Sequence, residues 1–148
     1  MSWPPSTDYA VDADITVAHT LPGAFYGDAA AFARMRERIF VRSWQWVGAL
    51  DDVAHPESLA PRALLPGFVD EPLLLTRDAD GRLRCMSNVC THRGNILVGA
   101  ACRDKQIRCG YHSRRFDLAG RMTFMPEFRD AKGFPSPSDN LPQIPFKK

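Results

Sequence analysis

Two short segments constrain what this 148-residue chain can become more than anything else in it. Residues 88–95 read NVCTHRGN and residues 109–117 read CGYHSRRFD, which places one residue between Cys90 and His92 and two between Cys109 and His112. The chain has only four cysteines and four histidines, and these segments hold half of each. Mixed Cys/His pairs on two loops require a fold that brings two loop tips together, and the flanking sequence is strand-like. EPLLLT and RLRCMS flank DADG, an Asp/Gly turn of the hairpin kind, so a hairpin feeds into Cys90. QIRCG and RRFDLAGRMTF repeat the form, with a strand entering Cys109 and a turn at Ala119-Gly120.

The rest of the chain reads as one compact domain with an extension in front. Phe32, Met35, Ile39 and Phe40 recur at helical spacing with Arg34, Arg36, Glu37 and Arg38 between them, and Asp28 is a suitable N-cap. SWQWVGAL alternates as a half-buried strand would, so the helix should end near 41–43, with Trp44 and Trp46 in the core. Residues 50–70, rich in Pro, Ala and acids, give no clear strand. Five of the twelve prolines fall after residue 125, which predicts a tail running extended over the surface. The organisation expected is an N-terminal extension with an amphipathic helix over 1–43, and a mainly β domain over 44–148 that closes with the Pro-rich tail.

Composition narrows the function classes. Apolar runs such as PLLLT and RALLPGFV end well before the eighteen or so residues of a membrane span, so no membrane role is expected. The start, MSWPPSTDYAVDAD, carries acids and prolines where a secretory signal carries a basic and then an apolar region. It reads as a ragged, partly disordered beginning to a cytoplasmic protein, whose thiols are ligands or core residues rather than a disulfide framework. The net charge of +2 conceals an asymmetry: residues 1–81 carry net −6, residues 82–121 net +7 and the remainder net +1. Both Cys/His pairs lie in the basic stretch. Basic residues are too thinly interleaved with stacking aromatics there for a nucleic-acid face, and docking of an acidic redox partner or a neighbouring subunit is the more economical reading.

Two thiols and two imidazoles leave two kinds of metal centre open. Structural zinc takes Cys and His tetrahedrally, but its usual spacing keeps cysteines with cysteines and histidines with histidines. Loops that each mix one of either kind suit a site with two unlike metal centres. A Rieske [2Fe-2S] cluster is such a site, with two cysteines on one iron and two histidines on the other.

CTH followed after sixteen residues by CGYH resembles the Rieske family pattern, CxH, a spacer, then CxxH. AFYGDAAAFARMRERIFVRSWQWVG, NVCTHRGN and RRFDLAGRMTFMPEF resemble the N-terminal half of the large subunits of Rieske non-haem iron (ring-hydroxylating) oxygenases, and the likeness spans about residues 21–146. The resemblance implies a Rieske-type antiparallel β domain with one N-terminal amphipathic helix. It implies a [2Fe-2S] cluster with Cys90 and Cys109 on one iron and His92 and His112 on the other. Thr91, Arg93, Gly94, Gly110, Tyr111 and Ser113 would shape the pocket, with backbone amides directed at sulfur. Neutral imidazoles in place of two thiolates leave the cluster less negative, so electron uptake is easier than in plant-type ferredoxins.

The respiratory branch of the family has a further cysteine in each loop, joined as a disulfide; Asn95 and Tyr111 stand in those places here, which points to the oxygenase or ferredoxin branch. Cys85 is then a core residue and Cys102 a loop thiol. One departure is Ser113, where the family usually has glycine. Glycine readily supplies a left-handed backbone or room at a metal loop, and serine does so less readily. Arg93, Arg114 and Arg115 read as solvated side chains or as guides for an acidic partner, and Asp117 as a turn former.

An oxygenase also needs a mononuclear iron held by two histidines and a carboxylate. His19 and His55, 36 positions apart, do not form such a set, and in the family those ligands lie in a C-terminal catalytic domain. The expectation is therefore one-electron transfer by the electron-carrying module of a Rieske-type oxygenase, with no catalytic residues of its own. A reductase or ferredoxin would be the donor, and an oxygenase catalytic domain or subunit, acting on an aromatic ring or small organic amine, the acceptor. A stand-alone Rieske ferredoxin serving a separate oxygenase, and a zinc-stabilised interaction module, remain as alternatives.

Overall fold

The computed structural model describes residue 9, residues 11–128 and residues 130–147. Of the ragged start expected over residues 1–14, residues 1–8 and 10 lie outside them. The chain divides into two compact units, Met1–Trp44 and Gln45–Lys148.

In the first unit a short 3-10 turn, Gly23–Gly27, leads into α1, Ala29–Arg38. Asp28 caps it: Oδ1 accepts from the N–H groups of Ala30 at 2.8 Å and Ala31 at 3.1 Å, satisfying two donors the first turn leaves open. The Tyr9 hydroxyl donates to the other oxygen at 2.8 Å. The helix falls where the periodicity places it, but Ala31 is its buried residue, while Phe32 and Ile39 are about half exposed.

The second unit holds the strands. β1 (Ser58–Leu64), β2 (Glu71–Arg77), β3 (Leu83–Ser87) and β4 (Cys102–Arg103) form an antiparallel sheet in the order β3-β2-β1-β4. β5 (Ile107–Arg108), β6 (Arg115–Phe116) and β7 (Met122–Phe124) form a second antiparallel sheet in chain order. β1 lies in the stretch whose sequence gives no strand signal. Its SLAPRAL carries Pro61, which pairs with Leu74 of β2 beyond the last residue β4 reaches, on a side where no neighbour needs its missing N–H.

The core draws on both sheets and on what joins them. Leu59, Leu74 and Met86 come from the first sheet, Ile107, Phe116 and Met122 from the second, and Cys90, Cys109 and Leu141 from loops and tail. The hairpin turn at 78–82 and the turn before Gly120 form as expected; at the latter, Asp117 Oδ1 accepts from the Ala119 and Arg121 N–H groups, both at 2.9 Å. Buried Thr76 donates to the Leu118 carbonyl at 2.8 Å and so links the sheets.

Three expectations need correction. Trp44 and Trp46 are 62% and 83% exposed, because SWQWVGAL forms no strand and so acquires no sheet to lie against. The Pro-rich tail is not a simple extended run over the surface: it turns through a 3-10 helix at Pro137–Asp139 and then pairs with β3, where Met86 bridges Gln143, the Ser87 N–H donates to the Pro142 carbonyl at 2.9 Å and the Ile144 N–H to the Cys85 carbonyl at 2.8 Å. Pairing through the carbonyl of Pro142 and the N–H of Ile144 asks nothing of the prolines' missing donors, and Leu141 enters the core at 2% exposure. Cys102, taken as a loop thiol, lies exposed on β4, whereas Cys85 is the buried core residue expected.

Candidate metal centre

The two Cys/His segments follow β3 and β5, and their loops close in the same way. In the first, the Cys90 N–H donates to the Asn95 carbonyl at 2.8 Å and the Gly94 N–H to the Cys90 carbonyl at 3.0 Å. In the second, the Cys109 N–H donates to the Arg114 carbonyl at 2.8 Å and the Ser113 N–H to the Cys109 carbonyl at 3.0 Å. The fourth residue after each cysteine is left-handed, Gly94 at φ 68° and Ser113 at φ 57°. Serine thus takes the conformation that the family's glycine would supply, at a cost of roughly 1–2 kcal/mol. Its hydroxyl accepts from Arg108 Nη2 at 3.0 Å.

Such tight loops turn backbone donors onto sulfur. The His92 N–H acts on the Cys90 thiol, and those of Tyr111 and His112 on the Cys109 thiol. The thiols are neighbours, each 2% exposed. Burial pushes Cys90 up from the ordinary thiol value, and the adjacent Cys109 adds to the rise. Burial opposes ionisation of Cys109 too, but the two backbone N–H groups, the Cys90 thiol and the Asn95 amide outweigh it and bring that thiol down.

The imidazoles form a second pair. The rings of His92 and His112, both half-buried, meet edge to face with centroids 4.9 Å apart, and the Tyr111 ring lies 3.7 Å from that of His112. Desolvation, followed by the electrostatic influence of His112, Arg114 and Arg93, holds His92 below its ordinary value. Nδ1 of His112 is buried without a hydrogen-bond partner, an arrangement that costs free energy unless something accepts its lone pair.

Two adjacent buried thiols, two adjacent imidazoles and an orphaned ring nitrogen could together hold a cluster that takes sulfur on one iron and neutral imidazole on the other. Among the described residues, no three His, Cys, Asp or Glu side chains converge on one ion position. His19 and His55 are both exposed. Arg93, Gly94, Gly110 and Tyr111 line the outside of the loops, whereas Thr91 is partly buried: its hydroxyl donates to the Asp139 carbonyl at 2.7 Å and accepts from Arg114 Nη1 at 2.8 Å.

Arg114 departs most from its sequence reading. It is 4% exposed rather than solvated, and its Nη2 lies 3.3 Å from Asp139 Oδ1. Arg115 is partly buried, its guanidinium 5.0 Å from the centre of the Phe124 ring. Neither Asp139 nor the side chain of Asn95 was singled out for a part at the site. The available signal was positional: Asn95 and Arg114 are each the fifth residue after a loop cysteine.

Residues 43–135 match the model of the Rieske [2Fe-2S] domain. The chain belongs to the Rieske [2Fe-2S] domain family. Its relatives within that family are oxygenase subunits. The chain is 30% identical over 141 residues to the carnitine monooxygenase oxygenase subunit of Acinetobacter baumannii, a match covering 95% of the chain and 36% of that subunit. It is 32% identical over 105 residues to the chloroplastic choline monooxygenase of Spinacia oleracea, covering 71% of the chain and 23% of that enzyme. A quaternary ammonium Rieske monooxygenase solved with its substrate L-carnitine superposes at a TM-score of 0.74 and 26% identity, over 95% of this chain and 37% of that one. Naphthalene 1,2-dioxygenase from Rhodococcus sp. superposes at 0.72 and 25% identity, over 86% and 29%. The chain spans about a third or less of the length of the curated relatives it matches. The resemblance to Rieske oxygenases and the mainly β fold with one helix thus both hold, and the family's cofactor is the Rieske-type [2Fe-2S] cluster. Among the described residues, no helix is long and apolar enough to cross a membrane.

Proposed function

We propose that this Rieske domain carries single electrons as the electron-transfer module of an oxygenase, with Cys90 and Cys109 holding one iron of the cluster and His92 and His112 the other. The observation that carries the reading is the sorting of donors: the thiols pair with each other in the core and the imidazoles pair with each other at partial exposure, although each loop supplies one of either kind. The bound cluster supplies a site that accepts and releases one electron at a potential of roughly −150 to +300 mV. The chain's own residues prepare that site. Backbone amides at 92, 111 and 112 meet the charge on sulfur, burial of the thiols excludes water, and the half-exposed rings leave an edge toward a partner.

A reductase or ferredoxin is the proposed donor and an oxygenase catalytic domain or subunit the acceptor. Of the substrate classes the family suggests, a small organic amine is favoured by the carnitine and choline monooxygenases among the relatives. The proposed organisation is an extension over 1–43 and the Rieske domain over 44–148, supported by the division of contacts after Trp44. Potentiometric titration of protein reconstituted with iron and sulfide tests the electron-carrying role. One reversible electron per chain within that range is expected; no reversible step, or one near −400 mV as in plant-type ferredoxins, would contradict it.

A further inference from the structure

Asn95 and Arg114 occupy equivalent places in the two loops, and each does two jobs. Each carbonyl accepts its own loop's cysteine N–H at 2.8 Å. Each side chain then crosses to the other loop: Asn95 Nδ2 lies 3.7 Å from Cys109 Sγ, and Arg114 Nη1 lies 2.8 Å from the Thr91 hydroxyl. The orientation of the Asn95 amide follows from its second contact, because the same atom is 2.7 Å from the Ile96 carbonyl, where only a donor belongs. Arg114 is anchored in turn, through Asp139 Oδ1 at 3.3 Å, to a carboxylate that also accepts the Ser136 N–H at 2.8 Å.

We propose that Asn95 and Arg114 are reciprocal cross-loop ties, positioning residues that hold the two ligand loops in register and raise the reduction potential of the cluster between them. The inference rests on the ligand assignment above. An N–H directed at a ligating sulfur strengthens as the cluster gains electron density, so the Asn95 amide favours the reduced form. A buried guanidinium bonded to the residue between Cys90 and His92 acts in the same sense, since the reduced cluster is the more negative one.

The test is a set of four variants in the reconstituted chain: Asn95→Leu, Asn95→Asp, Arg114→Met and Arg114→Lys. Midpoint potential is read by dithionite titration, and cluster retention by the rate of iron loss to EDTA. Asn95→Leu and Arg114→Met should lower the potential and speed iron loss. Asn95→Asp keeps the shape and replaces the donor with a charge, so it should lower the potential further than Asn95→Leu; Arg114→Lys should recover part of the Arg114→Met loss. Should the leucine or methionine variant fail to fold, the aspartate and lysine variants still decide the matter. Potentials and iron-loss rates equal to wild type across the set would overturn the ties while leaving the ligands standing, whereas a wild-type chain that binds no [2Fe-2S] cluster would remove the ligand assignment itself.

Discussion

The rings of His92 and His112, twenty residues apart in sequence, meet at 4.9 Å with an interplanar angle of 70°. That pairing puts two imidazole donors on one side of the site. Replacing His112 with cysteine would put a thiolate there and add a negative charge, so the reduced state should become harder to reach. The midpoint potential should fall by roughly 100 mV or more, toward all-cysteine clusters. An unchanged potential in an intact cluster would exclude His112 as a ligand.

Ser113 carries a strain that glycine would not. Changing it to glycine removes roughly 1–2 kcal/mol of left-handed backbone cost, while glycine's greater freedom in the unfolded chain returns roughly 0.5–1 kcal/mol. The loss of the exposed contact from Arg108 is small. Thermal melting should therefore show Ser113→Gly at or slightly above wild-type stability, and a large loss would show that the hydroxyl does more at the site than meet Arg108.

Gly120 is the opposite case. It sits at φ 78°, and a Cβ there would come within 2.8 Å of Gln143 Nε2, 3.0 Å of Met86 Sδ and 3.2 Å of Leu141 Cβ. Gly120→Ala combines an unfavourable backbone with crowding where the tail crosses β3, and should cost roughly 1–3 kcal/mol in denaturant unfolding. Amide exchange at Leu141 and Ile144 should accelerate with it, since the first donates to the Gly120 carbonyl and the second to that of Cys85.

Asp139 links the tail to Arg114, and its carboxyl is held below the ordinary 3.8, first by the Ser136 N–H and then by the Ser136 hydroxyl and Arg114 against the opposing effect of burial. A lowered folded-state value means the unfolded chain binds the proton more readily. The stabilisation is thus complete above 3.8 and is lost as pH falls below it through the folded value. Urea midpoints measured from pH 6 down to pH 3 should decline at the acid end, and Asp139→Asn should flatten the part of that decline due to this group. An identical slope in the variant would contradict it.

Much of the site could be read from sequence because its constraints are local. The spacing of Cys90, His92, Cys109 and His112, and the turns at DADG and Ala119-Gly120, depend on residues adjacent in the chain. What was missed depends on long-range contacts. β1 is a strand because β2 pairs with it from Ser58 to Leu64, not because SLAPRAL favours strands. Trp44 and Trp46 look like core residues by side chain alone, yet the segment finds no sheet. Arg114 reads as a surface arginine until Thr91 and Asp139, respectively 23 positions before and 25 after it, arrive to bond it. The tail's place beside β3 is set by Leu141 and by the alternation of Pro142 with Ile144, a pattern that proline content alone hides.

In the proposed centre, sulfur grips one iron and imidazole nitrogen the other. Its most direct test is iron and acid-labile sulfide analysis of anaerobically reconstituted protein, combined with nitrogen hyperfine spectroscopy of the dithionite-reduced state. Two irons and two sulfides per chain are expected, with couplings from two inequivalent imidazoles that disappear one at a time in His92→Cys and His112→Cys. A single zinc per chain, or a reduced cluster without imidazole coupling, would contradict it.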